Sequence, residues 1–272
     1  MRINISGVIG NSYSILFKNR TVLVLCIIGA IIGTVFNSLF MVILTTMLYQ
    51  PSAAFIPVGV PTPTPQISFD FVALILIAIV LTVFILVNLF IEGAVISAVS
   101  LDSKAEIGAS VKKALSRYIS LIGASIATSF ISFISLLPGI ILIVSMYFEI
   151  MNSGAIAGIV PLVLGMLLLI MPGMYVDLRI SLSEVACIAG GKRAIDSVKS
   201  SWSITKGNLW SILAITLILG IIEGIVGAFF SWLYTPVGVF VQAMLAYPIT
   251  IAFVLVYQQM QTPARAAKKP KK

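Results

Sequence analysis

The sequence predicts an all-α integral membrane protein with about six transmembrane helices. Three observations point to it. Hydrophobic residues make up 60% of the 272 residues and charged residues only 10%, with a mean hydropathy of +1.14; a soluble domain carries about 25% charged residues. Six apolar runs are long enough to cross a bilayer core of about 30 Å, which needs roughly 20 residues of helix. Finally, every basic residue falls in one alternating set of segments, as set out below.

The first run, 21–48, is too long for the core of a signal peptide and has no small-residue cleavage site after it, so it reads as a retained span. The others are 71–99, 118–148, 156–176, 209–233 and 237–257. Several exceed the length of a perpendicular span, so tilt or extension beyond the lipid is expected. Pro138-Gly139 in the third and Pro172-Gly173 in the fourth are expected to kink or interrupt their helices. Such breaks serve packing, or expose backbone groups that line a site.

Arg2, Lys18 and Arg20 precede the first span, and Lys104, Lys112, Lys113 and Arg117 separate the second from the third. Arg179, Lys192, Arg193, Lys199 and Lys206 separate the fourth from the fifth. Arg265, Lys268, Lys269, Lys271 and Lys272 follow the sixth, which accounts for all 17 basic residues. The loops near 49–70, 149–155 and 234–236 have none. The positive-inside rule then puts both termini in the cytoplasm of a multi-pass cell-membrane protein. Five or seven spans would spoil the sorting.

One six-span domain, 1–262, and a basic cytoplasmic tail, 263–272, describe the organisation. Within the domain, three parallel repeats are conceivable over 1–100, 101–178 and 190–262. Each would be an amphipathic interfacial helix followed by a transmembrane hairpin. Ile5, Val8, Ile9 and Leu16 fall at helical spacing in the first segment; Ile107, Val111, Ala114, Leu115 and Tyr118 in the second; Ile195, Val198 and Trp202 in the third. Ser103-Lys104-Ala105-Glu106 reads as a capping box. Ser12-Tyr13-Ser14-Ile15 leads to Asn19, and Ser201-Trp202-Ser203-Ile204 to Asn208, at equal spacing. The middle segment lacks a matching asparagine, and any hairpin membrane protein needs aromatic interfacial anchors, here Tyr13, Tyr118, Trp202 and Trp210. The outer loop PSAAFIPVGVPTPTP, 51–65, favours extended polyproline-like backbone.

No histidine occurs, which removes the usual general base and the commonest metal ligand. Cys26 and Cys187 lie far apart without CxxC spacing. No phosphate-loop, dinucleotide, nucleophile-elbow or zincin motif is present. The expectation is no enzyme, no metal and no cofactor. The net charge of +8 sits in topology-setting segments, so its partners are expected to be anionic lipid headgroups at the cytoplasmic face, not nucleic acid.

Ionisable residues within spans are costly, about 2.5–3.5 kcal/mol at the centre on insertion scales, and usually face protein or water. Glu223 lies near the middle of the fifth run; Glu92, Asp177, Arg179 and Glu184 lie nearer the cytoplasmic interface. Glu223 reads either as a proton or cation site or as a hydrogen-bonding side chain that glues helices. Asp177 and Arg179, two apart, do not face each other on a helix. Gly29/Gly33 and Gly220/Gly224 form GxxxG pairs that permit close helix approach. Polar company is thin: Thr34, Asn37 and Ser38 in the first span.

Residues 171–210 read MPGMYVDLRISLSEVACIAGGKRAIDSVKSSWSITKGNLW. Pro172-Gly173-Met174-Tyr175 closes a span, Arg179 follows, a helix ends in Ser201-Trp202, and Thr205-Lys206-Gly207-Asn208 opens a new span. This resembles the membrane domain found beside glycerophosphoryl diester phosphodiesterases, and related prokaryotic six-helix membrane proteins. The resemblance implies a fold and a membrane location. The phosphodiesterase domain itself, with its histidine and metal-binding acids, has no counterpart here. The sequence thus favours a non-enzymatic membrane protein with a structural, lipid-interacting or partner-organising role, either alone, as a homo-oligomer or with another membrane protein. A small-solute or ion transporter using the Glu223 region is the alternative.

Overall fold

A computed structural model describes residues 3–48, 71–101, 106–153 and 159–267. The proline-rich loop, Asp70, most of the capping box and the last five tail residues lie outside the described residues. Those described form ten helices and no strand. Six apolar segments are long enough to cross a membrane.

The N-terminal helix α1 (Ile5–Lys18) starts where the Asn4 side chain accepts from the Gly7 N–H, satisfying one of the donors a helix start leaves free. It stops at Asn19, whose side chain in turn caps the next helix by accepting from Thr21 N and Val22 N. The first hairpin is α2 (Arg20–Leu48) and α3 (Phe71–Ser100); the second is α4 (Ile107–Ser153) and α5 (Ile159–Ile180). Two short helices follow, α6 (Ser183–Ile188) and α7 (Ala194–Ile204). The last hairpin is α8 (Leu209–Leu233), α9 (Thr235–Leu245) and α10 (Tyr247–Ala267). In each hairpin the first and second helices pack together.

The structure departs from the sequence expectations in four places. The middle interfacial segment is not a separate helix: it forms the first turns of α4, whose 47 residues extend about 70 Å at 1.5 Å per residue. Of its apolar positions Ala114 is buried, while Ile107 and Leu115 are exposed. The prolines do not interrupt: Pro138 and Pro172 lie inside continuous helices. The glycine beside each proline sits at the α4–α5 contact. A Cβ on Gly139 would lie 2.5 Å from the Leu169 backbone, and one on Gly173 would lie 2.6 Å from Leu136, so these pairs mark where α4 and α5 touch most closely. The breaks fall elsewhere, between α5 and α6 and between α9 and α10. At the second break Pro248 has no N–H to continue the ladder. Lastly, α10 runs to Ala267, into the stretch read as a tail.

Burial is concentrated at the end of the bundle where α1 and α7 lie. Val22, Leu25 and Cys26 of α2, Val95 and Ile96 of α3, Leu121 of α4, and Ile212 and Ile215 of α8 are buried. At the centre sits α6, with Val185, Ala186, Cys187 and Ile188 in one core with Ile96, Leu121 and Tyr257. Toward the other end α2 exposes Val35, Leu39 and Val42, and α3 exposes Leu74 and Ile79. Such apolar surface is what lipid tails would cover; between helices in lipid, close packing and hydrogen bonds supply the attraction.

Candidate functional site

Two cavities between helices of the bundle, both open to its surface, bring polar residues together. The first, about 470 Å³, is bounded by α2, α3, α8, α9 and α10. One end is lined by Phe36, Phe40 and Phe84, with Phe36 and Phe84 in ring contact at 4.9 Å between centroids. The other end carries Asn88, Glu92, Tyr247 and Thr250, and Glu223 and Gln242 also line the cavity. The second cavity, about 370 Å³, lies among α3, α4, α5, α6 and α10. Its lining is mostly polar: Thr128, Ser129, Ser132, Ser181 and Ser183 with the carboxyls of Glu92, Asp177 and Glu184. Glu92 therefore borders both spaces. No lysine or arginine is among the described residues lining either.

Each cavity has a helix break in its wall. The α9–α10 break puts Ala246 and Tyr247 on the first; the α5–α6 break puts Ile180, Ser181 and Ser183 on the second. Discontinuous helices in membrane proteins turn backbone groups toward a site, and irregular backbone at membrane depth is tolerated where it is buried or lines a cavity. At the α5–α6 break, α7 supplies the missing bonds. Ser201 Oγ donates to the Arg179 carbonyl at 2.8 Å and accepts from the Leu182 N–H at 3.1 Å. Thr205 Oγ1 donates to the Ser201 carbonyl at 2.9 Å and reaches the Arg179 carbonyl at 3.3 Å.

Of the predicted polar residues, Glu223 and Glu92 meet on the first cavity, and Glu92 and Asp177 on the second. Glu92 Oε1 accepts from Thr250 Oγ1 at 2.9 Å, and Asp177 accepts from the Ser132 hydroxyl. Arg179 is not part of either lining. Its guanidinium lies over the rings of Tyr175 and Trp202, 5.2 and 5.5 Å from their centroids. It also donates to the Tyr175 hydroxyl at 2.9 Å and the Trp202 carbonyl at 3.3 Å.

The glycine pairs differ. A Cβ on Gly29 would lie 1.8 Å from Tyr247 Oη, and one on Gly33 would lie 3.7 Å from Ala243, so this pair admits α9 and α10. A Cβ on Gly220 or Gly224 would meet no described atom within 4 Å; those two face away from the rest of their own chain. The anchors also differ. Trp210 is 83% exposed and Trp202 40%. The expected apolar face of α7 is split: Ile195 and Trp202 are exposed, while Val198 is buried with Ser197, Ser200 and Ser201. Tyr118 ties α4 to α3, donating to the Leu86 carbonyl at 2.7 Å and stacking edge-on to Phe90. Tyr13 packs inward against the core, and its buried hydroxyl has no hydrogen-bond partner among the described residues. Burial, and secondarily the Glu223 carboxylate, push its phenol above the ordinary range.

Several lining residues carried no sequence signal. Asn88, Gln242 and Thr250 are isolated polar residues in apolar runs. Only Pro248, two residues before Thr250, marked the spot. Thr34 and Ser38 bond back to their own helix carbonyls, leaving Asn37 as the member of that group on the cavity.

A family model described as a domain of unknown function, DUF7847, matches residues 39–262, which covers every wall of both cavities except Gly29, Gly33, Phe36 and Asn37. The chain belongs to the DUF7847 family. No curated protein and no solved structure matches it. In this DUF7847 chain the N-terminal helix α1 and the first part of α2 lie ahead of the matched region, yet that part of α2 closes one side of the first cavity.

Proposed function

We propose that this DUF7847 protein passes a small cationic solute across the cell membrane through its two cavities. The observation that carries the reading is Glu92, a carboxylate that borders both cavities, each with a broken helix in its wall. Intramembrane carboxylates mark ion and substrate pathways, and sites at discontinuous helices are the usual design of secondary transporters. Taken alone, Glu223 favours a structural role, because it stands without company in its own span. The cavity supplies that company in Glu92, Asn88 and Gln242. That no lysine or arginine lines either cavity among the described residues favours a positively charged solute over an anion.

In this reading both termini are cytoplasmic, the protein performs no covalent chemistry, and α7 with Trp202 and Trp210 meets anionic lipid headgroups. The likeness of residues 171–210 to the membrane domain beside glycerophosphoryl diester phosphodiesterases bears on architecture alone: it covers the stretch that builds the α5–α6 break. The test is flux of protons and monovalent cations into proteoliposomes, wild type against empty vesicles. Saturable flux supports the reading. Its absence for every cation tried would return the protein to a structural, lipid-organising role.

A further inference from the structure

Resting on that transport reading, we infer that the first cavity takes an organic cation with an apolar aromatic or alkyl body, its charge held at the Glu92 end. Three features carry this. The first is the gradient of chemistry along the cavity. Phe36, Phe40 and Phe84 form one end and Glu92 with Thr250 forms the other, while Glu223 and Gln242 border the space between helices α8 and α9. An inorganic cation gains nothing from the apolar extent of this wall; an amine or quaternary centre on an apolar body uses both ends. The second is volume. About 470 Å³ falls in the range of about 300–1,000 Å³ typical of small-molecule sites, far more than a dehydrated metal ion or proton requires. The third is charge: two carboxyls and no lining lysine or arginine. Aromatic faces attract cations through the ring quadrupole, more strongly when water is excluded. The second cavity lacks the aromatic end, with Phe253 its one lining ring among the described residues. It offers an organic cation mainly polar contacts, so the apolar body is bound in the first cavity and only passes the second.

The test is equilibrium dialysis of radiolabelled tetraphenylphosphonium against the full chain in mild detergent, with thermal melting as the folding control. Wild type should bind saturably, and an uncharged aromatic of similar size should not compete. Glu92→Gln should weaken binding about tenfold or more, the loss expected when a desolvated carboxylate partner is neutralised. Phe84→Ala should weaken it about two- to fivefold, the size of one ring contact. Trp210→Ala, on an exposed side chain remote from the cavity, should bind as wild type does. If Glu92→Gln fails to fold, Glu223→Gln replaces it with a smaller expected loss. No saturable binding, or equal binding by wild type and the folded carboxyl and Phe84 variants, would overturn the inference. Proton or alkali-cation flux without tetraphenylphosphonium binding would overturn it and leave the transport reading standing. Loss of both would remove both.

Discussion

The two cavities share one carboxylate and differ in almost everything else. The first has aromatic walls, isolated amides and a glycine-admitted tyrosine; the second is lined with serines, a threonine and two further acids. They also differ in what holds them open. The α9–α10 break beside the first follows from a proline in the chain itself. The α5–α6 break beside the second depends on a separate helix, because Ser201 of α7 bonds both sides of it. One site is written into a local sequence, the other into a tertiary contact. That difference orders the expected effects of substitution.

The largest effect should come from crowding the hairpin beside the second cavity. A methyl on Gly139 meets Leu169 backbone at 2.5 Å, so α4 and α5 must separate. Gly139→Ala should lose about 1–3 kcal/mol, the usual range for overpacking. Gly220→Ala, with open space around it, should melt as wild type or slightly higher, since alanine favours helix by about 1 kcal/mol over glycine. Equal losses for the two would contradict the packing described.

Removing the α7 contribution comes next. Ser201→Ala leaves the Leu182 N–H without its acceptor, a cost of about 1–3 kcal/mol for a buried unsatisfied group. Trp202→Ala should cost less, because that ring is 40% exposed. A melting series in detergent in which Trp202→Ala is the worse of the two would show that the ring, and not the hydroxyl, secures the break.

Gly29→Ala tests the first cavity alone. The added methyl overlaps Tyr247 Oη, the far end of a buried side chain that borders the cavity. The tyrosine should swing into the cavity, so stability should fall by less than about 1 kcal/mol, below the usual overpacking range, while tetraphenylphosphonium binding falls sharply. Unchanged binding would mean that the ring moves elsewhere. The smallest effect belongs to Thr250→Val, which deletes the hydrogen bond to Glu92 at 2.9 Å. Interhelical hydrogen bonds in membrane proteins average about 0.6 kcal/mol, so melting should scarcely change.

The sequence carried the fold much further than the site. Six spans were legible because lipid demands long apolar runs, and such runs are visible without any knowledge of packing. The site was most legible in its charged members, Glu92, Asp177, Glu184 and Glu223, because an acid in an apolar run stands out, and in part through Asn37 and the Gly29/Gly33 pair. Which acids meet was hidden: Glu92 and Glu223 lie on α3 and α8, and only the tertiary arrangement joins them on one cavity. The repeated motif misled in an instructive way. Ser12-Tyr13 and Ser201-Trp202 share spacing, yet Tyr13 packs inward against the core while Trp202 turns outward under Arg179. The serine in each pair is the buried member, and serine carries no hydrophobic signal for a periodicity argument to find.

The most direct test of the central claim is cation flux in proteoliposomes reconstituted to equal protein density with wild type, Glu92→Gln and Glu223→Gln. The glutamine variants keep size and hydrogen-bonding capacity and should melt near wild type. The account predicts saturable wild-type flux, abolished in Glu92→Gln, where both cavities lose their shared carboxylate, and reduced in Glu223→Gln, where only the first is altered. Wild-type flux no greater than that of empty vesicles, or flux indifferent to Glu92, would contradict it.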